Sequence, residues 1–115
     1  MTAADEALEA VERVLEEGGD ADEVLRQAVA VLHERLELFV RISFVEQDGL
    51  VPGPAAGMPS ATAAFPISFE GSRVAELEVG GDLSAAQRSL LERVAALLSP
   101  YALVGWDTGG EEWTP

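Results

Sequence analysis

The sequence predicts an α+β fold in which a single antiparallel sheet of about four to five strands carries the N- and C-terminal helices on one face. Two stretches, 39–46 and 63–79, alternate apolar and polar residues with a period of two, as half-buried strands do. Helical apolar patterns flank these stretches on both sides. The order of elements (two helices, four strands and a last helix) fits one antiparallel sheet with the helices segregated to one face, an α+β layered domain.

The first helix is predicted over Asp5–Glu17, where Leu8, Val11 and Leu15 recur at helical spacing among acidic residues. Gly18-Gly19 ends it. Its apolar stripe is narrow, and a short helix of this kind is marginal alone, so it needs another surface to lie against.

The second helix is predicted over Ala21–Glu37, with a wide apolar face that indicates a core element. Asp20 stands in N-cap position, and Glu23 follows at capping-box spacing. His33 is the only histidine of the chain and is interpreted as a boundary residue of this helix, because a metal site would need further ligands.

The first strand is predicted over Leu38–Glu46, where Val40, Ile42 and Phe44 alternate with polar residues. It follows the second helix directly. The triplet at 47–49, Gln-Asp-Gly, predicts a hairpin turn.

The return strand is predicted to be short. It starts at Leu50-Val51, and Pro52 and Pro54 are expected to break it because proline cannot donate to a strand ladder. The segment 52–62 is therefore predicted to be a loop of about eleven residues.

A second strand pair is predicted between Ala63 and Val79, with a turn at 70–72. Its apolar residues alternate with Ser68, Glu76 and other polar residues. Pro66 within the third strand indicates that this strand lies at the sheet edge or that its N–H side is unpaired.

The last helix is predicted to start after Ser84, with Gln87 completing a capping box. It carries two apolar stripes, of which the second contains Leu91, Ala95, Leu98 and Ala102. Ser99-Pro100 is expected to kink or end the helix. Residues 105–115 lack a period and are predicted to form a mobile acidic tail.

Composition narrows the classes of function. The net charge of −14 over 115 residues disfavours binding to nucleic acid or to anionic lipid and is compatible with binding to a basic partner. No apolar run is long enough to span a membrane, and the N-terminus lacks the pattern of a signal peptide, so a cytoplasmic protein is expected. The chain has no cysteine, which excludes disulfides and thiolate chemistry.

Three segments resemble a GAF domain, the small sensor module related to PAS domains. They are DADEVLRQAVAVLHERL at 20–36, FVRISFVEQDGLV at 39–51, and the run at 64–98 that contains FPI, VAELEV and LLERVAALL. The resemblance covers about Asp20–Tyr101. It implies a minimal GAF-like domain over 20–104, with residues 1–19 as an N-terminal amphipathic helix that serves dimerisation.

The chain departs from the GAF pattern in its connection between the second and third strands. Members of the family usually have a pocket-forming helix and a further strand there, and this chain has only the segment 52–62. The cysteines of the GAF-fold methionine sulfoxide reductases and of bilin-binding domains are absent, as is the cyclic-nucleotide signature. A roadblock- or profilin-like domain is the rival fold, and it would need a helix where this chain has proline and glycine.

The polar face of the predicted sheet is the candidate ligand surface. The residues proposed for it are Arg41, Ser43, Ser68, Glu76 and, from the loop, Met58. Arg41 would anchor an anionic ligand through its fork of donors. The alternative interpretation is that Arg41 pairs with a glutamate on a neighbouring strand.

The terminal helices are the candidate dimer interface. One sheet needs only one face of the last helix, so its second stripe and the first helix suggest a surface that another copy completes. The interface residues predicted are Leu8, Val11, Leu15, Leu91, Ala95 and Leu98. GAF domains commonly dimerise through terminal helices, and the resemblance implies the same here. The alternative is that the first helix folds back within the single chain.

The function predicted from the sequence is therefore a GAF-like sensor or scaffold module, not an enzyme, that acts through homodimerisation and protein contacts without a metal or cofactor. The alternative is a GAF domain that binds a small metabolite on the polar sheet face, with the 52–62 loop as a lid.

Overall fold

A computed structural model describes the backbone of residues 3–46, 49–58, 60 and 62–112, and the side chains among them as far as residue 102. The elements are α1 (Ala3–Glu17), α2 (Ala21–Leu36), β1 (Phe39–Glu46), β2 (Gly49–Ala56), β3 (Ala63–Phe69), β4 (Ser72–Gly80) and α3 (Ala85–Glu112). The strands form one antiparallel sheet in the order β2-β1-β4-β3. The predicted α+β fold and order of elements are confirmed.

The helices form two layers above the sheet. In the first layer α2 packs on β1 and β2, and α3 packs on β3 and β4. In the second layer α1 lies on α2 and α3. The sheet face beneath the helices, here called the inner face, carries the apolar residues of one buried cluster, including Ile42, Ile67 and Leu77 at 0% exposure. Burial of this continuous apolar surface is the main term that stabilises the domain.

The start of α2 differs from the prediction. Asp20 has extended N-cap geometry, but its side chain makes no capping hydrogen bond. Glu23 instead accepts hydrogen bonds from Arg26, at 2.7 Å, and from Gln27, at 2.9 Å. The predicted capping box at Asp20 is therefore wrong, because side chains one turn along the helix occupy the Glu23 carboxylate.

A tight joint connects α2 to β1, as the directly successive patterns predicted. Glu37 adopts the left-handed conformation with φ 56°, and its N–H donates to the His33 carbonyl at 2.8 Å. The Nδ1 atom of His33 lies 2.8 Å from the carbonyl oxygen of Leu38, within hydrogen-bonding distance. His33 thus has a structural role at this joint.

Strand β2 extends further than predicted. It runs through Pro52 and Pro54 to Ala56, so the connection to β3 is shorter than the predicted 52–62 loop. Two facts permit this. The strand is at the sheet edge, where half of its N–H groups need no partner, and its register with β1 shifts at Gly53-Pro54, as in a β-bulge. A side chain at Gly53 would collide with the Phe44 ring, so glycine fits there.

The predictions for β3 are confirmed: the strand runs over Ala63–Phe69 and buries Phe65 and Ile67. Pro66 lies on an edge strand, as its missing N–H required. The turn predicted at 47–49 includes Gln47 and Asp48, which lie outside the described residues.

Helix α3 begins with the predicted capping box. The Ser84 N–H donates to Gln87 Oε1 at 2.9 Å, and the Gln87 N–H donates to Ser84 Oγ at 3.1 Å. The two residues satisfy each other's backbone donors.

Helix α3 does not end at Ser99-Pro100, because it continues through Pro100 to Glu112; the predicted kink there stays a prediction. Proline has no N–H, so the Ala96 carbonyl loses its backbone partner. Ser99 Oγ donates to that carbonyl at 2.9 Å and replaces the missing bond. Of the predicted tail, 105–112 have helical backbone and 113–115 lie outside the described residues, so its mobility stays a prediction.

Candidate functional site

The candidate site is the sheet face that points away from the helices, here called the outer face. Opposed residues of an antiparallel pair point to the same side, so the register defines its members. Its members are Leu50, Pro52 and Ala55 on β2; Phe39, Arg41, Ser43 and Val45 on β1; Arg73, Glu76 and Glu78 on β4; and Ala64, Pro66 and Ser68 on β3. The members on both edge strands are exposed, while Phe39 and Ser43 at the centre are buried, so the outer face is open to solvent mainly along its edges.

Arg41, Ser43 and Glu78 form a hydrogen-bonded cluster at the centre of the outer face. Nε of Arg41 donates to Glu78 Oε1 at 2.7 Å, and Ser43 Oγ donates to the same oxygen at 2.5 Å. The Arg41 guanidinium also lies 5.4 Å from the centroid of the Phe39 ring, a cation–π geometry. Ser43 is 2% exposed, so its hydroxyl depends on Glu78 for a hydrogen bond.

This cluster holds Glu78 in its ionised form. The hydrogen bond from Arg41 is the largest of the effects that lower the pKa of the Glu78 carboxyl below its ordinary 4.5, and the Ser43 hydroxyl and the charge of Arg41 lower it further. Partial burial acts in the opposite direction but is outweighed. The side chains of Arg41 and Glu78 are 26% and 13% exposed, so solvent screens the pair less than it screens a surface salt bridge.

A second pair neighbours this cluster on β4. Arg73 Nη1 lies 3.1 Å from Glu76 Oε2, and the Arg73 side chain is 56% exposed while that of Glu76 is 15% exposed. The strand side chains of the outer face thus carry two arginines and two glutamates. This face is close to electroneutral on a chain of net charge −14.

The structure brings three of the five predicted ligand residues together. Arg41, Ser43 and Glu76 lie near one another on β1 and β4, since Ser43 is directly opposed to Glu76. Ser68 shares the face but lies on the edge strand opposite Arg73. Met58 is 85% exposed in the connection after β2. A ligand role for these residues stays a prediction.

In this structure Arg41 makes the contact that the alternative interpretation predicted, because its guanidinium is paired with a glutamate on the neighbouring strand. Glu78 and Phe39 were missing from the predicted site. Period-two alternation in the sequence assigns Glu78 to the same face as Glu76, but only the register of β1 against β4 identifies it as the partner of Arg41. Phe39 is apolar, so nothing in the sequence pointed to it as a member of a polar site.

The residues predicted for a dimer interface divide into two groups. Val11, Leu91 and Leu98 are 0% exposed and Ala95 is 2% exposed within the single chain, where α1 packs on α2 and α3. A side chain enclosed in this way has no surface to offer a second copy. Leu8 and Leu15 are partly exposed at the rim of the cluster. The homodimer itself stays a prediction.

Other features of the described residues add no reactive centre. No three histidine, aspartate or glutamate side chains among the described residues come together as a metal site. No helix within the described part of the chain is long and apolar enough to cross a membrane. The connection from β2 to β3 passes the end of the sheet, where Gly57 lies against Phe39 and Ser60 lies against Gly80.

Solved structures share this architecture over most of their length. The GAF domain of a phosphoenolpyruvate-protein phosphotransferase from Acinetobacter aligns with a TM-score of 0.71 at 12% identity, over 90% of this chain and 97% of that one. The chain has a GAF-like fold. The reduced form of fRMsr from Staphylococcus aureus aligns with a TM-score of 0.73 at 13% identity, over 89% of this chain and 96% of that one. No family model and no curated protein matches the chain.

The prediction that the chain is not an enzyme must be corrected. fRMsr in complex with its substrate aligns with a TM-score of 0.70 at 13% identity, over 89% of this chain and 97% of that one. The GAF-like fold therefore includes a protein that acts on a substrate, and the fold leaves an enzymatic role open here. Any such chemistry would use groups other than thiols, because the chain has no cysteine.

Proposed function

We propose that this chain is a sensor or scaffold module that acts by contacting protein surfaces, as a homodimer. The observation that carries the proposal is the outer face of the sheet. Its edges are exposed, and the polar groups at its centre already have partners within the chain.

This geometry suits a protein partner better than a small anion. Ligand pockets are concave and present convergent polar groups to the ligand. On the outer face Arg41 and Ser43 both donate to Glu78, so an anion would have to displace a carboxylate that lies beside a second one, Glu76. A protein interface instead needs area, packed apolar groups and paired charges.

A small-molecule role is the second candidate. The exposed Met58 favours it, because this apolar side chain stands in the connection that passes Phe39 at the end of the sheet. A metabolite bound there should raise the midpoint of thermal unfolding of the wild type and leave that of Met58→Ala less affected. A metabolite library without any stabilising compound would contradict this candidate.

Sedimentation equilibrium of the wild type tests the homodimer. We expect the mass of a dimer at tens of micromolar protein. A monomer mass throughout that range would contradict the proposal. The interface needs surface variants, since a charge at a fully buried residue such as Leu91 would test folding instead.

A further inference from the structure

The charge of the chain is distributed unevenly over its surfaces. Helix α1 alone carries six carboxylates and a single arginine, Arg13. Two copies that met through such helices would bring like charges together, which opposes association. The outer face carries balanced charges, so a second copy can approach it without this repulsion.

We propose that the outer face is the surface on which a second copy of this chain docks, sheet face against sheet face. The inference rests on the proposed homodimer and names its interface. It replaces the terminal helices as the expected contact.

The charges of the outer face can complement those of another copy. Arg73 is 56% exposed and places one nitrogen 3.1 Å from Glu76 Oε2, while a guanidinium has five N–H donors. It can therefore also donate to a carboxylate of a second copy. Apolar side chains flank the charges on both sides, among them Leu50, at 43% exposure, and the exposed Pro66. This combination of arginine with apolar groups is characteristic of protein interfaces.

The edges of the sheet are less suited to a partner strand than its face. Pro52 and Pro54 lie in β2, and Pro66 lies in β3, so both edge strands lack N–H donors that a further strand would need. The face remains as the sheet surface on which a partner can pack.

The area is sufficient for a specific contact. Strands lie about 4.8 Å apart and rise about 3.3 Å per residue, so four strands of about eight residues present roughly 500 Å² in projection. Two such faces would bury about 1,000 Å² in total, near the lower bound for specific interfaces.

Charge variants at exposed positions test the interface. Ala64→Glu with Ser68→Glu adds two negative charges to the outer face of each copy, on the exposed side of β3. The matched control, Ala30→Glu with Ala96→Glu, adds the same charge to exposed positions of α2 and α3. Sedimentation equilibrium is measured for both, with circular dichroism to verify folding.

We expect the outer-face variant to dimerise about tenfold more weakly than the wild type or worse, and the control to weaken much less. The variant of opposite charge, Ala64→Arg with Ser68→Arg, should also dimerise more weakly than the wild type when it is measured by itself. Mixing the two outer-face variants should restore a dimer, which separates an interface effect from damage to folding.

Each remaining outcome counts against a specific proposal. A wild type that stays monomeric overturns the homodimer and this inference together. A dimeric wild type whose outer-face variants associate equally well overturns this inference and leaves the homodimer standing. In that case Leu8→Glu with Leu15→Glu would test α1 as the interface.

Discussion

The two faces of the sheet are stabilised by different physics, although alternate residues of the same strands build both. On β4, Leu77 and Val79 point to the helices and are fully buried, whereas Glu76 and Glu78 point away and are paired with arginines. The inner face depends on apolar area, which is non-directional. The outer face depends on directed hydrogen bonds between a few charged groups.

The two faces therefore tolerate different substitutions. Apolar residues of similar volume can replace one another on the inner face at modest cost. On the outer face no such exchange is available at Glu78, because a single carboxylate oxygen satisfies both Arg41 and the buried Ser43. The following variants test the contrast.

The largest effect is expected on the inner face, for Leu77→Ala. Leu77 is 0% exposed and directly opposes Ile42 and Phe65. Removing its side chain leaves a cavity and should lower the free energy of unfolding by about 2–5 kcal/mol in urea titrations. The exposed Ser68→Ala on the outer face is the control, and it should change stability by less than about 0.5 kcal/mol. Equal effects of the two would contradict the contrast.

The next effect is expected at the centre of the outer face, for Glu78→Gln. Glutamine retains an acceptor oxygen but no charge, so the hydrogen bonds from Arg41 and Ser43 weaken and stability at neutral pH should fall by about 1–2 kcal/mol. Urea titrations at a series of pH values provide the measurement.

The pH dependence of this variant has a defined sign. The pKa of Glu78 is lower in the folded chain than its ordinary 4.5, so its ionised form stabilises the fold above that value. The contribution is lost as the pH falls through the lower, folded-state pKa. The difference between wild type and Glu78→Gln should therefore shrink in acid, and a difference that grows in acid would contradict the cluster.

A smaller effect is expected at the helix that covers β3 and β4, for Ser84→Ala. The variant removes the side-chain cap of the Gln87 N–H and should cost about 1 kcal/mol in thermal or urea unfolding. Asp20→Ala is the matched comparison on α2. Because Asp20 makes no side-chain cap bond, this variant should cost less, and the reverse order would refute the difference between the two helix starts.

The smallest effect is expected for Ser99→Ala, at about 0.5–1 kcal/mol, because the Ala96 carbonyl is exposed enough to gain water. A double-mutant cycle with Pro100→Ala sharpens the test. Once alanine supplies the missing N–H, loss of the Ser99 hydroxyl should cost less. Additive effects of the two substitutions would show that Ser99 does not compensate for the proline.

Local signals allowed most of the elements to be predicted, and they failed where a side chain found an unexpected partner. The capping spacing at Ser84-Gln87 and at Asp20-Glu23 looks the same in sequence, yet only the first forms, since Arg26 and Gln27 bind Glu23. Pro100 carries a stop signal, but the neighbouring Ser99 satisfies the carbonyl that the proline leaves without a donor.

Local sequence patterns are enough to predict the α+β order of elements, the faces of β1, β3 and β4 and the edge position of β3, because the periods of 2 and 3.6 and the chemistry of proline act locally. Only the folded chain shows that α1 packs on α2 and α3, that the second stripe of α3 is buried, and that Arg41 meets Glu78. Those outcomes depend on the register and packing of distant segments. Alternation assigns each residue to a face, but it does not determine which residue lies opposite on the next strand.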